Sequence, residues 1–257
     1  MVYEKIRIVM LCGDNKYSRM MYNGLTPFVD VKCVILEENT SKICFIKKRF
    51  KKLGFLKTTG QLLFIIINKL IEKLSRSRVN KLINGYGLIN TSFPKSIIQK
   101  VENINSKKTI NLLKNINPDA VVINGTRIIS NKILSAFEIP FINTHMGITP
   151  KYRGVHGAYW ALVNGDPDNC GVTIHLVDKG IDTGGILYQD IINIEKYDNL
   201  NTYPIHQMAK ALPLMKTALN DIKEKRINIK NGAHPSRLWY HPTLFEYVKN
   251  WVLKGVV

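Results

Sequence analysis

The sequence predicts an α/β fold built on a mostly parallel central sheet, and three stretches carry that expectation. Residues 6–12 are a short apolar, β-branched run ending at Gly13-Asp14-Asn15, which reads as a buried strand running into a loop. Residues 18–25 can open a helix stopped by Pro27, and residues 31–36 read as a second strand. Strand, helix, strand at the amino end is the pattern of a parallel sheet. A helical stretch at 109–117, stopped by Pro118, then precedes a buried strand at 120–124 with a loop at Gly125.

Further elements follow in the same alternation. Residues 140–145 read as a strand running into Gly147, Pro150 and Gly154, and residues 156–164 as a helix. Residues 171–177 alternate in polarity and predict a strand, 180–185 a glycine-rich loop, 186–192 a further strand and 201–225 a long helix. The remainder, with Trp239, Tyr240, Pro242 and Trp251, is too apolar for a solvated end. It is expected to pack on the core or on a second subunit.

Composition narrows the class. The chain has 257 residues, 45% hydrophobic, 9% aromatic and 22% charged, which excludes collagenous, low-complexity and wholly disordered chains. The longest aliphatic and aromatic run, Leu62 to Ile67, falls far short of the ~20 residues a membrane span needs. The start, Met1-Val2-Tyr3-Glu4-Lys5, lacks the order of a signal peptide, so a cytoplasmic location is expected. Cys12, Cys33, Cys44 and Cys170 form no close pair, which argues against a disulfide or zinc framework; no metal is expected.

The net charge of +18 is concentrated. Residues 42–81 hold twelve basic side chains against one acid, Glu72. Such a segment can draw nucleic acid, anionic lipid or a phosphorylated ligand, or simply stay solvated. Within it, residues 61–74 read as a helix with a wide apolar face and a lysine-rich rim. Packing on its own domain is the preferred expectation over lying on a membrane surface.

The chemistry-bearing residues cluster between Asn143 and Gly185. Asn143 and His145 lie two apart at a strand end, so their side chains leave on one face. An amide donor beside an imidazole suits acyl transfer to an amine: one stabilises an oxyanion, the other handles a proton. Asp182 sits among Gly180, Gly184 and Gly185, where a carboxylate can approach closely and orient an imidazole. From the pair alone, a turn-capping asparagine and a core histidine are the preferred reading over the catalytic one.

The longer string decides between them. Asn143-Thr-His145-Met-Gly-Ile-Thr-Pro150-Lys-Tyr-Arg153-Gly154, followed by Gly171-Val-Thr-Ile-His175-Leu-Val-Asp178-Lys-Gly-Ile-Asp182-Thr-Gly184, closely resembles the folate-dependent formyltransferase family. Val122-Ile-Asn-Gly-Thr-Arg127-Ile-Ile129-Ser is similar to that family's folate-side loop. The resemblance runs roughly from residue 6 to residue 194. It implies a Rossmann-like formyltransferase core, residues 1–200 with a basic insert at 42–85, and a short C-terminal extension at 201–257.

By the same resemblance Asn143, His145 and Asp182 fall on the family's catalytic set, and the donor is 10-formyltetrahydrofolate. Its pterin is expected between Arg127, Ile128 and Ile129 on one side and Val177, Gly180 and Asp182 on the other. One departure stands out: where many members have serine, this chain has Gly147. Arg153 has two readings, contact with the substrate's phosphate or sugar and bracing of its own loop. His156 and His175 are expected to be structural, and Trp239, Tyr240 and Trp251 to pack the tail.

Among the acceptors the family serves, a nucleotide-linked amino sugar fits this sequence best, as a dTDP- or GDP-4-amino-4,6-dideoxy sugar destined for O-antigen or other surface polysaccharide. A basic rim suits its diphosphate. Methionyl-tRNA formyltransferase carries an additional C-terminal domain, and no nucleic-acid partner is expected. Glycinamide ribonucleotide formyltransferase, the enzyme of purine synthesis, is the alternative, although residues 13–19 depart from its phosphate loop. A basic nucleic-acid- or membrane-surface-binding module on an inactive core is the reading from another class. A homodimer stays open.

Overall fold

The computed structural model describes residues 4–38 and 42–257; the readings at Met1-Val2-Tyr3 and at the Cys44 side chain lie outside the described residues. β1 (Arg7–Cys12), α1 (Lys16–Leu25) and β2 (Asp30–Glu37) open the fold. Three helices follow, α2 (Lys42–Leu53), α3 (Phe55–Leu74) and α4 (Arg76–Gly85), before β3 (Ile98–Val101), α5 (Lys107–Ile116), β4 (Ala120–Asn124) and α6 (Asn131–Leu134). β5 (Phe141–His145), β6 (Arg153–Gly154), α7 (Gly157–Val163), β7 (Gly171–Leu176) and β8 (Ile186–Ile191) come next. α8 (Tyr203–Lys223), β9 (Leu238–Trp239) and α9 (Leu244–Lys254) complete it.

Among the described residues the main sheet has seven strands in the order β3-β2-β1-β4-β5-β7-β8. The first five are parallel, whereas β7 runs antiparallel to both β5 and β8. This is the expected α/β class with a mostly parallel sheet. Its central strands are apolar throughout because helices cover both faces. Side chains alternate: Ile8, Met10 and Cys12 pack with Met20 and Leu25 of α1 and Met208 and Met215 of α8. Val9 and Leu11 point the other way, to Leu113 of α5 and Ile133 of α6.

A third apolar cluster lies beyond the sheet. Phe64 of α3, Tyr159 and Trp160 of α7, Tyr203 of α8 and Tyr247 of α9 are buried together. The tail therefore packs on the core through Trp239 and Tyr247, whereas Trp251, expected to pack with them, is 54% exposed. Trp239 stacks on Trp160 at 4.8 Å and on Tyr152 at 5.9 Å, and Trp160 Nε1–H donates to the Tyr240 carbonyl. β9 pairs with β6, and Gly154 there has φ +95 with the Trp239 carbonyl oxygen 2.2 Å from where a Cβ would stand. Only glycine accommodates both conditions.

One further expectation is revised. The apolar face at 61–74 extends back to Phe55, and most of it faces solvent: only Thr58, Gln61 and Phe64 of α3 are buried. α3 packs instead through its polar and aromatic side, with Gln61 donating to the His241 carbonyl at 2.6 Å. The short β3 carries exposed Gln99 and Lys100 on the sheet edge, so its sequence lacks strand alternation.

The three helices are anchored by a buried carboxylate. Asp198, 0% exposed, accepts from His206 Nε2 at 2.8 Å and from Arg78 of α4 at 3.1 Å. Burial alone would push this carboxyl up, but His206, Arg78 and the Glu195 amide outweigh it and hold it well below the carboxylate range. Asp198→Ala leaves Arg78 with Glu195 and His206 with Tyr86 but removes the buried acceptor they share, so we expect a loss of about 1–3 kcal/mol in urea unfolding.

Candidate active site

The parallel strands end on one side of the sheet, and their carboxyl-end loops surround a cavity of about 630 Å³. Asn15 after β1, Gly125 to Ile129 after β4, Asn143 to Met146 from β5 and Gly180 to Asp182 after β7 all line it. Ligands of open α/β sheets bind at this edge.

Asp182 is the hub. Its Oδ2 lies 3.3 Å from His145 Nδ1 and accepts the Gly154 amide at 3.0 Å; its Oδ1 lies 3.4 Å from Asn143 Nδ2 and 3.6 Å from His175 Nε2. Burial would raise this carboxyl, but the neighbouring His145, His175 and Gly154 amide outweigh it, leaving it at about 2. It is a carboxylate at neutral pH. Asp182 reaches this position with φ +51, a left-handed conformation costly for a side-chain-bearing residue and concentrated at functional sites.

His145 is buried between two acceptors. Nε2 lies 2.7 Å from the Tyr152 carbonyl oxygen, so its proton sits there and Nδ1 presents a lone pair toward Asp182. Burial lowers its pKa against the pull of Asp182. The neutral ring is therefore a proton acceptor whose charged form the adjacent carboxylate would stabilise. Gly147 makes this approach feasible, because a Cβ there would stand 2.4 Å from the Tyr152 oxygen and 2.8 Å from His145 Nε2.

His175, expected to be structural, lies within this constellation. The antiparallel pairing of β5 with β7 sets it opposite Asn143. Its Nδ1–H donates to the Leu176 carbonyl at 2.7 Å, leaving Nε2 to accept from Asn143 at 3.1 Å. The signal missed in the sequence is that a strand following a turn can return antiparallel, putting its histidine in register with the amide.

The remaining expected residues are distributed around this centre. Arg127 lines the cavity but is held by Glu37 at 2.8 Å; Ile128 is exposed and Ile129 buried. Val177 and Gly180 line the cavity, and Asp178 ties that loop by accepting from the Gly180 amide and the Thr183 hydroxyl. Arg153 donates to the Ile181 carbonyl at 2.8 Å, the bracing geometry, and is not part of the cavity lining. Thr126 Oγ1 and Thr144 Oγ1, on cavity-lining residues, are buried without a hydrogen-bond partner. Among the described residues no group of three or more His, Cys, Asp or Glu is placed to hold a metal ion.

A second histidine pair forms another part of the wall. His156 Nε2 and His241 Nδ1 are 2.9 Å apart, with Phe64 of α3 edge-on to His156. Burial, then His241, pushes His156 down to about 3; burial, then Arg49, pushes His241 to about 4.

Two predictions follow from this geometry. Both histidines are depressed on folding, so stability is complete above about pH 6.5 and falls as the pH drops toward 4, where the unfolded chain takes up protons the folded one refuses. His156→Asn tolerates the left-handed backbone and should flatten the urea-unfolding slope in that window by about 1.4 kcal/mol per pH unit. Gly147→Ser should lower turnover and thermal stability together by displacing the Tyr152 carbonyl; an unchanged melting temperature would contradict the close approach.

A sequence profile described as formyl transferase matches residues 78–212, more than half of the chain. Methionyl-tRNA formyltransferase of Finegoldia magna is 33% identical over 124 residues, 48% of this chain and 40% of that protein, so the chain spans less than half the length of this curated relative. Among solved structures, a sugar N-formyltransferase from Shewanella sp. superposes with a TM-score of 0.55 at 17% identity, covering 91% of this chain and 76% of the other. Glycinamide ribonucleotide transformylase 1 from Symbiobacterium toebii gives 0.58 at 17% identity, covering 92% and 95%. These structural likenesses establish a shared α/β fold, and the profile match shows that this chain belongs to the folate-dependent formyl transferase family.

Proposed function

We propose that this protein transfers a formyl group from 10-formyltetrahydrofolate to the amine of a nucleotide-linked amino-dideoxy sugar, of the dTDP- or GDP-4-amino-4,6-dideoxy class. The observation that carries the transfer is the buried Asp182 carboxylate gathering Asn143, His145 and His175 at the cavity. The cavity suits the donor: the unpartnered Thr126 and Thr144 hydroxyls supply buried hydrogen-bonding capacity, and a flat ring bearing amide groups satisfies such atoms. Arg127, Ile128 and Ile129 with Val177, Gly180 and Asp182 would hold it, and when bound it supplies an activated formyl carbon.

The residues then divide the work. The acceptor amine must arrive neutral, and its nitrogen forms a bond to the formyl carbon while the bond to the donor nitrogen breaks. Asn143 exchanges its longer contact, the 3.4 Å one to Asp182, for the oxygen on which negative charge develops. His145 Nδ1 accepts the amine proton and passes it to the departing donor nitrogen; Asp182 stabilises the imidazolium in between. Arg153 keeps the loop of Asp182 in place through Ile181. Holding both reactants in one cavity supplies much of the remaining acceleration.

For the acceptor, the supporting feature is the His156 and His241 part of the cavity wall, which the three-helix segment backs. Gln61 and Phe64 of α3 pack on the His156 and His241 pair, and Arg49 places positive charge beside His241. A diphosphate is attracted to such a wall. The sequence relatives and structural neighbours put methionyl-tRNA and glycinamide ribonucleotide beside the sugar nucleotides in the test. With 10-formyltetrahydrofolate we expect tetrahydrofolate release with a dTDP- or GDP-linked 4-amino sugar and none with the other two acceptors. Asp182→Asn should lower kcat about 100- to 10,000-fold. Release only with glycinamide ribonucleotide or methionyl-tRNA would overturn the sugar reading, and unchanged turnover in Asp182→Asn would overturn the mechanism.

A further inference from the structure

α3 and α9 share an outward surface whose composition a solvated helix pair does not need. On α3, Leu56, Leu63, Ile66, Leu70 and Leu74 are exposed, Leu56 to 85% and Ile66 to 63%. At about 100° per residue these positions fall within roughly a third of the helix circumference, so they form one continuous stripe about 30 Å long. On α9, Phe245, Val248 and Val252 are exposed, Val252 to 72%. The two stripes meet: Leu56 and Leu63 line one open groove with Phe245 and Val248. Isolated exposed apolar residues are ordinary, but a contiguous two-helix face marks an interaction site.

The charges around this face have one sign. Lys57, Lys69 and Lys73 on α3 and Lys249 on α9 are exposed, and Lys51 and Lys52 end α2 beside Phe55. Both acids on the two helices are already paired, although Glu246 lines the shared groove. Glu72 faces Lys16 at 3.7 Å, and Glu246 closes the capping box with Thr243. Among the described residues no helix is long and apolar enough to cross a membrane, so the face cannot be a span in disguise.

We propose that the α3 and α9 face seats this protein on an anionic lipid bilayer, with the apolar stripe in the headgroup boundary and the lysines on the lipid phosphates. A face lined with leucine, isoleucine and phenylalanine and rimmed by lysine is the composition of an interfacial helix. Juxtaposed lysines attract an anionic surface and lose that attraction as salt rises. A second copy of the chain is the less favourable occupant, because a two-fold contact would set the same lysine rim against itself in a molecule carrying +18. Charge complementarity therefore selects lipid.

The site is independent of the cavity chemistry: Ile66 and Leu70 lie outside the cavity lining, so soluble turnover and lipid binding can be measured separately. The experiment is co-sedimentation of the full chain with vesicles of phosphatidylcholine alone or mixed with phosphatidylglycerol, at low and high salt. Binding is expected with the mixed vesicles only, weakened by salt. The double variant Ile66→Asp with Leu70→Asp should bind at least about tenfold more weakly while keeping its melting temperature and soluble turnover. Lys69→Glu with Lys73→Glu should reproduce that loss. Three outcomes would overturn the proposal. They are no binding to either vesicle, mixed-vesicle binding untouched by the aspartates, and a dimer in analytical ultracentrifugation that the aspartates dissolve while vesicle binding stays absent.

Discussion

A single buried carboxylate organises the catalytic end of this molecule. Asp182 comes from a loop after β7, His145 and Asn143 from β5, His175 from β7 and the Gly154 amide from the short strand that pairs with the tail. Four segments converge on two oxygen atoms. In a low-dielectric site an ionised carboxylate is tolerated only if its lone pairs are occupied. The requirement also acts in reverse: once the loop is held left-handed at Asp182, the surrounding donors are fixed to within hydrogen-bonding distance. The carboxylate sets both the geometry and the electrostatic field in which a neutral imidazole can take up a proton.

That field is local. The bulk of the positive charge lies on the three helices between β2 and β3, while His145, His156 and His241 at the cavity are all driven toward neutrality by burial. An amine acceptor must lose a proton to react, so a site that favours neutral bases is chemically consistent with attack by nitrogen.

Much of this is legible in the sequence, for identifiable reasons. The central strands are read correctly because parallel strands covered on both faces are uninterrupted apolar runs. The convergence of Asn143, His145 and Asp182 is anticipated only through the resemblance of the longer motifs to the formyltransferase family, because the local spacing by itself describes a turn cap and a core histidine. His175 escapes, since its place beside Asn143 depends on antiparallel register, a non-local property. β3 escapes because an edge strand with exposed Gln99 and Lys100 has no alternation to detect. α9 is different: Thr243 and Glu246 form a capping box that a search for the Thr-x-x-Glu spacing would have found.

The same helices that misled hydropathy reasoning explain how one segment can serve two environments. α3 touches the fold through Thr58, Gln61 and Phe64, so its inward side is the more polar one, and its leucines and isoleucines are left outward. Inversion of the usual pattern is tolerated because the anchoring comes from elsewhere, from Asp198 gripping Arg78 and from Tyr247 packing on Phe64 at 5.2 Å. A helix secured by polar contacts, by Phe64 against Tyr247 and His156, and by half-buried Ile65 and Ile71 does not need its outward stripe for folding. That stripe is then free to meet an apolar surface outside the chain, and its lysine border determines which surface is favoured.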